Sequence, residues 1–107
     1  MKLWLDDERP APDGWVHVKT AFDAIHELTC NFNASAYAEV SLDHDLGEEM
    51  TGYDVISWIE EVAFTYNDFC IPIVKVHTAN SSARQKMVQA AANIERERAK
   101  RLDNVYT

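Results

Sequence analysis

Three short polar stretches of this 107-residue chain carry side chains able to do chemistry: DDER at 6–9, DHD at 43–45 and HTAN at 77–80. Asp6, Asp7, Asp43 and Asp45, if brought together, repel one another unless a counter-charge sits among them. A hard divalent cation supplies it. Mg²⁺, or Mn²⁺ in its place, takes oxygen ligands and keeps waters that a phosphate oxygen can replace. Arg9 and Asn80 add donors for phosphate oxygens, and arginine suits a bidentate phosphate contact. His44 and His77 are of the type that moves protons near neutral pH. Each stretch also has a plain structural reading. Asp6 and Asp7 read as loop or capping acids, and Asp43 and Asp45 as turn residues ahead of Gly47. His77 reads as a structural histidine at a strand end, and Thr78 and Asn80 as caps of the next helix. What decides is whether the fold gathers the three stretches.

The elements that would gather them follow from periodicity and punctuation. LWL at 3–5 is a short apolar run, and ERPAPDGW after it, with two prolines and Asp-Gly, is a loop. Residues 16–19 predict a second strand. Thr20 with Asp23 makes a capping pair, and Ala21, Phe22, Ile25 and Leu28 follow at helical spacing. Residues 29–37 read as polar and irregular, and 39–42 as a third strand. Thr51 with Asp54 starts a second helix, whose stripe of Val55, Ile56, Ile59, Val62, Ala63 and Tyr66 reaches Asn67. IPIVKV at 71–76 is a fourth strand, with Pro72 suited to an edge or a strand's first residues. Ser82 with Gln85 predicts the start of a last helix, with Arg96, Arg98, Lys100 and Arg101 near its C-terminus and LDNVYT after it.

Strands that alternate with helices imply a parallel sheet with right-handed crossovers, whose ligands bind beyond the carboxyl ends of the strands. The first strand ends at Asp6, the third at Asp43 and the fourth at His77, so a parallel sheet puts them on one edge. The helix N-termini near Thr51 and Ser82 lie at the same edge and favour anions. The residues therefore point to a metal-dependent site for a phosphate-bearing ligand. His17 and His26 have no such company and read as structural. Trp4, Trp15 and Trp58 read as core.

Composition bounds the setting. The length suits a single domain, 1–107, and 47% hydrophobic with 26% charged residues is ordinary for a folded soluble protein. A net charge of −8 argues against broad, sequence-independent binding of DNA or RNA. Fifteen of the 18 acidic residues lie at or before Asp68, whereas six of the ten Lys and Arg lie from Arg84 to Arg101. A local phosphate contact by the basic last helix is compatible with that, as is a solvated helix face. A strand-like run directly after Met1 leaves no room for a signal peptide, and no apolar run has the length of a membrane span. Cys30 and Cys70 sit in no metal-like or redox-like spacing, so thiols in a cytoplasmic protein are expected.

The arrangement resembles the receiver domain of response regulators, with an acidic pair after the first strand, an aspartate after the third and a Ser/Thr after the fourth. Asp6-Asp7, Asp43 and Thr78 match those positions. The usual first helix is replaced by the proline-rich loop, and the usual phosphate-contacting lysine is missing. The chain is more closely similar to the cyclic-phosphate processing receiver domain family, through LDDERP (5–10), SLDHDLG (41–47), TGYD (51–54) and HTANSSARQKM (77–87). That resemblance implies a reduced receiver or flavodoxin-like three-layer sandwich: a mostly parallel sheet of about four strands, order 2-1-3-4, with about three helices. It also implies processing of cyclic or terminal phosphates of RNA or nucleotides. Asp6, Asp7 and Asp43, with Asp45, would bind the metal, and Asp43 matches the phosphoacceptor. Asp43, His44 and His77 would carry catalysis, and Arg9, Thr78, Asn80 and Arg84 would contact phosphate. Two rivals stand beside this metal-dependent phosphoesterase: a non-enzymatic pseudo-receiver that binds a partner protein, as in a phage or mobile element, and a phosphorylatable receiver.

Overall fold

The computed structural model describes residues 1–32 and 37–105. Its elements run β1 (Lys2–Leu5), β2 (Val16–Val18), α1 (Ala21–Cys30), β3 (Glu39–Leu42), α2 (Gly52–Thr65), β4 (Ile73–Val76) and α3 (Ser81–Val105). The strands form one parallel sheet in the order β2-β1-β3-β4, the receiver-like α/β arrangement expected from the motifs.

Register divides the strand residues between two faces, because successive side chains of a strand point opposite ways. Leu3 and Leu5 of β1 stand beside Val40 and Leu42 of β3, and all four are fully buried. Each such burial stabilises the fold by about 1.5–3 kcal/mol. They form one cluster with Ala24 and Leu28 of α1, Val55, Ile56 and Ile59 of α2, and Met87 and Ile94 of α3. The three helices therefore lie side by side against this face, as crossovers of one hand require. The opposite face carries Trp4 beside Ser41 and Ser41 beside Lys75. There the expected third layer is reduced to the loop between β1 and β2, which sets Trp15 edge-on against Trp4 at 5.9 Å. Only Trp58 of the three tryptophans packs on the core cluster; Trp4 and Trp15 belong to the other face.

Several boundaries differ from expectation, each for a local reason. Helix α1 reaches Cys30, so the irregular segment expected at 29–37 begins later, and residues 33–36 of it lie outside the described residues. Helix α2 stops at Thr65 rather than Asn67, where Arg101 of α3 donates to the carbonyls of Ala63, Tyr66 and Phe69. Pro72 lacks an N–H, and β4 begins one residue later, with Ile73 N donating to Ala38 O at 2.9 Å. Helix α3 is capped by Asn80 and not by Ser82: Asn80 Oδ1 accepts the Ala83 N–H at 3.1 Å. It continues through 102–105, expected to lie beyond it, because no glycine or proline interrupts. Arg98 and Arg101 thus sit before the last turn, where they pair with Glu95 and Glu97. The caps at Thr20 and Thr51 are as expected.

Candidate metal centre

Asp6 leaves the end of β1 with its backbone still in the sheet, its N–H donating to Val18 O at 3.1 Å. The side chain is fully buried. Its Oδ1 accepts the backbone N–H groups of Glu8 and Arg9, each at 2.8 Å, so the chain turns back over the carboxylate. Its Oδ2 lies 3.2 Å from His77 Nε2. Burial pushes the Asp6 carboxyl up, but the Arg9 and Glu8 N–H groups and the His77 ring together outweigh it and hold it below 3.8. Asp6 is therefore an ionised carboxylate. Such a group has about four lone-pair sites, and three are filled, which leaves one for a cation.

Asp43 follows β3, its N–H donating to Leu5 O at 3.0 Å. Two glycines bring its neighbours close. Gly52 opens α2 against the Asp43 backbone, where an added Cβ would fall 1.6 Å from Asp43 O. Gly47 has a φ of +67°, in the left-handed region, and an added Cβ would stand 3.2 Å from Asp7 Oδ2. Leu46, buried just before Gly47, pins the loop to the core. As a result Asp6, Asp7 and Asp43 each offer a carboxylate oxygen within 4.8 Å of the others. Every donor is a hard oxygen, the set suits Mg²⁺ or Mn²⁺, and Asp6 retains the lone pair that ligation needs.

These acids line a crevice of about 220 Å³, together with Glu8, Arg9, Asp45, Gly47, Thr78 and Ala79. The expected residues divide among three situations. Asp6, Asp7, Asp43, Asp45, Arg9 and Thr78 meet at the crevice. Asp45 stands outside the close carboxylate trio, and its Oδ1 takes His44 Nδ1 at 2.8 Å. His44 and His77 are not among the lining residues. His77 lies behind Asp6, its Nδ1 2.7 Å from Ser41 Oγ. Burial pulls the His77 imidazole below 6.5, against the opposing pull of the Asp6 carboxylate. Asn80 spends its Oδ1 on the cap of α3, and Arg84 sits exposed in the first turn of that helix. His17, read as lying apart from these residues, reaches the backbone of one of them: its Nε2 donates to Asp6 O at 2.7 Å. The motifs contain Gly47, Gly52 and Ser41 without assigning them a part, and they leave out Trp4. The glycines were visible as residues, but only the folded loop shows what a side chain there would strike.

No curated protein and no solved structure matches the chain. The family model of the cyclic-phosphate processing receiver domain matches residues 1–93, which takes in the whole sheet, the crevice and half of α3. By that match the chain belongs to the cyclic-phosphate processing receiver domain family.

Proposed function

We infer that the chain hydrolyses a small phosphate ester, a cyclic or terminal phosphate of RNA or a nucleotide, at the crevice beyond β1 and β3. The observation that carries this reading is the carboxylate trio of Asp6, Asp7 and Asp43 beside Arg9 and Thr78. Asp6, Asp7 and Asp43 would hold Mg²⁺ or Mn²⁺, which when bound supplies Lewis-acid polarisation of a phosphoryl oxygen. Arg9 donates Nη1 to His77 O at 3.2 Å, which keeps its guanidinium at the rim. In this reading its other N–H groups take the phosphoryl oxygens, the part played by lysine in ordinary receivers. The Thr78 hydroxyl accepts the Asn80 N–H at 3.2 Å and has its own proton to donate to the ester.

Hydrolysis also needs a proton carrier. Both ring nitrogens of His77 are engaged by Ser41 and Asp6, so we assign the carrier's part to His44. Asp45 orients its Nδ1, and no described residue bonds its Nε2. Asp43 serves either as a metal ligand or as the nucleophile of an aspartyl-phosphate step. Its Oδ1 accepts the His44 N–H at 2.8 Å, which fixes the carboxylate plane for either role. Asn80 and Arg84 are left for parts of the substrate outside the crevice.

The test is a panel of cyclic and linear nucleotide phosphates with Mg²⁺ or Mn²⁺, run beside Asp43→Asn. Metal-dependent turnover that the substitution abolishes is expected. No turnover of any substrate, with no stabilisation by either ion, would sink the enzyme and leave a protein-binding pseudo-receiver. Labelling of Asp43 by acetyl phosphate would return the phosphorylatable receiver.

A further inference from the structure

Behind the crevice, on the sheet face turned away from the helices, a second set of contacts joins Trp4 to residues of three separate motifs. Trp4 of β1 and Ser41 of β3 are direct neighbours in the parallel register. His77 stands one row further along the same face, two residues beyond Lys75, the partner of Ser41. The His77 ring lies flat on the Trp4 indole, with centroids 3.8 Å apart and planes 7° from parallel. Ser41 Oγ, only 5% exposed as a residue, closes on Nδ1 at 2.7 Å, and Nε2 faces Asp6 Oδ2 at 3.2 Å. The indole N–H of Trp4 also donates to Arg9 O at 3.2 Å. One tryptophan thus touches the imidazole by its face and the Arg9 turn by its edge.

The chemistry of these groups sets the protons. An ionised Asp6 only accepts, so His77 Nε2 carries the hydrogen and Nδ1 is the acceptor. The Ser41 hydroxyl, with one proton to give, donates it to Nδ1. This fixes the tautomer, while the Trp4 stack fixes the ring plane. Imidazoles and carboxylates placed one bond behind metal ligands act in this way elsewhere, orienting the ligand and tuning its basicity.

We propose that Trp4 and Ser41 are positioning residues that lock His77 against Asp6 and so aim the one open lone pair of Asp6 at a divalent cation. The inference rests on the metal-binding reading of the crevice. It makes His77 an orienting group rather than a proton carrier. It also gives a reason for a buried serine and a half-buried tryptophan on a sheet face that carries the exposed Lys2 and Lys75.

The experiment titrates Mn²⁺ and Mg²⁺ alone into the folded full chain, beside nitrogen NMR of the His77 ring. Wild type should show the Nε2–H tautomer. Ser41→Ala and Trp4→Leu should each weaken metal binding by about 10-fold. Ser41→Thr, which keeps the hydroxyl, should restore most of it, and Lys75→Ala on the same face should change nothing. Ser41→Ala differs by one buried oxygen and keeps the test open should Trp4→Leu fail to fold. Wild-type binding with Ser41→Ala within about twofold of it, or His77 protonated on Nδ1, overturns the inference alone. A wild type that binds neither ion overturns it together with the metal reading.

Discussion

The two faces of the sheet are made from alternate residues of the same strands, yet one holds the fold and the other holds the site. Toward the helices the strands present Leu3, Leu5, Val40 and Leu42, all fully buried. Away from them the order on β1 is Lys2, Trp4, Asp6, and on β3 it is Glu39, Ser41, Asp43. The second face passes from charge, through two neutral residues, to the carboxylates of the crevice. A period of two lets one short strand serve both ends without compromise, because neighbours in sequence never share a face. Single substitutions on the two faces should therefore affect stability and the proposed metal binding separately.

Leu42→Ala and Ser41→Ala give the sharpest test of that separation. The leucine change removes core methyls and should lower unfolding free energy by about 3 kcal/mol, read by urea titration without metal. Ser41→Ala should cost about 1 kcal/mol or less in the same titration. Equal losses would break the comparison. Gly52→Ala is next, at a point where a helix presses on the site. Its new methyl meets the Asp43 carbonyl, so we expect a loss of about 1–3 kcal/mol together with weaker metal binding. A variant with the wild-type midpoint and wild-type affinity would show that the loop yields freely.

Tyr37 probes the helix side under alkali. Burial, with the hydroxyl donating to Glu27 Oε2 at 2.8 Å, pushes its phenol up from 10.0 to about 12. The folded chain holds that proton more tightly than the unfolded one. The contribution is therefore whole below pH 10.0 and is lost as pH rises toward about 12. Tyr37→Phe should cost about 1 kcal/mol at neutral pH and flatten the alkaline loss in a pH series of melts. The smallest effect belongs to Lys75→Ala. Its ammonium is 62% exposed and 3.6 Å from Glu39, and removing it should change stability by less than about 0.5 kcal/mol. A larger change would mean that the charged face contributes to the fold after all.

Much of this was legible in the residues themselves. Asp6, Asp7 and Asp43 converge because parallel strands end on one edge, and that needed only the order of elements. The third strand at Glu39–Leu42 and the caps at Thr20 and Thr51 needed only local pattern. The start of α3 was harder, since Asn80 and Ser82 both offer cap chemistry. The Thr78 hydroxyl settles the choice by taking the Asn80 N–H and turning the chain early. The far end of α3 carried no stop signal to read. Trp4 was hidden differently. Within LWL it looks like its apolar neighbours, and only register shows that it faces His77, 73 positions away along the chain. His77 likewise reads as a candidate proton carrier, and only the folded structure shows both ring nitrogens in contact with Ser41 and Asp6.

Among the described residues, strand β4 stands last in the sheet and is hydrogen-bonded on the β3 side alone. A bare strand margin is a template on which other chains can grow, and Ile73, Val74 and Val76 are the kind of residues that growth favours. In their midst stands Lys75. Bringing a second such strand alongside would bury an ammonium group or press it against its own copy. An exposed lysine at such a margin disfavours that growth, at little expected expense to the fold.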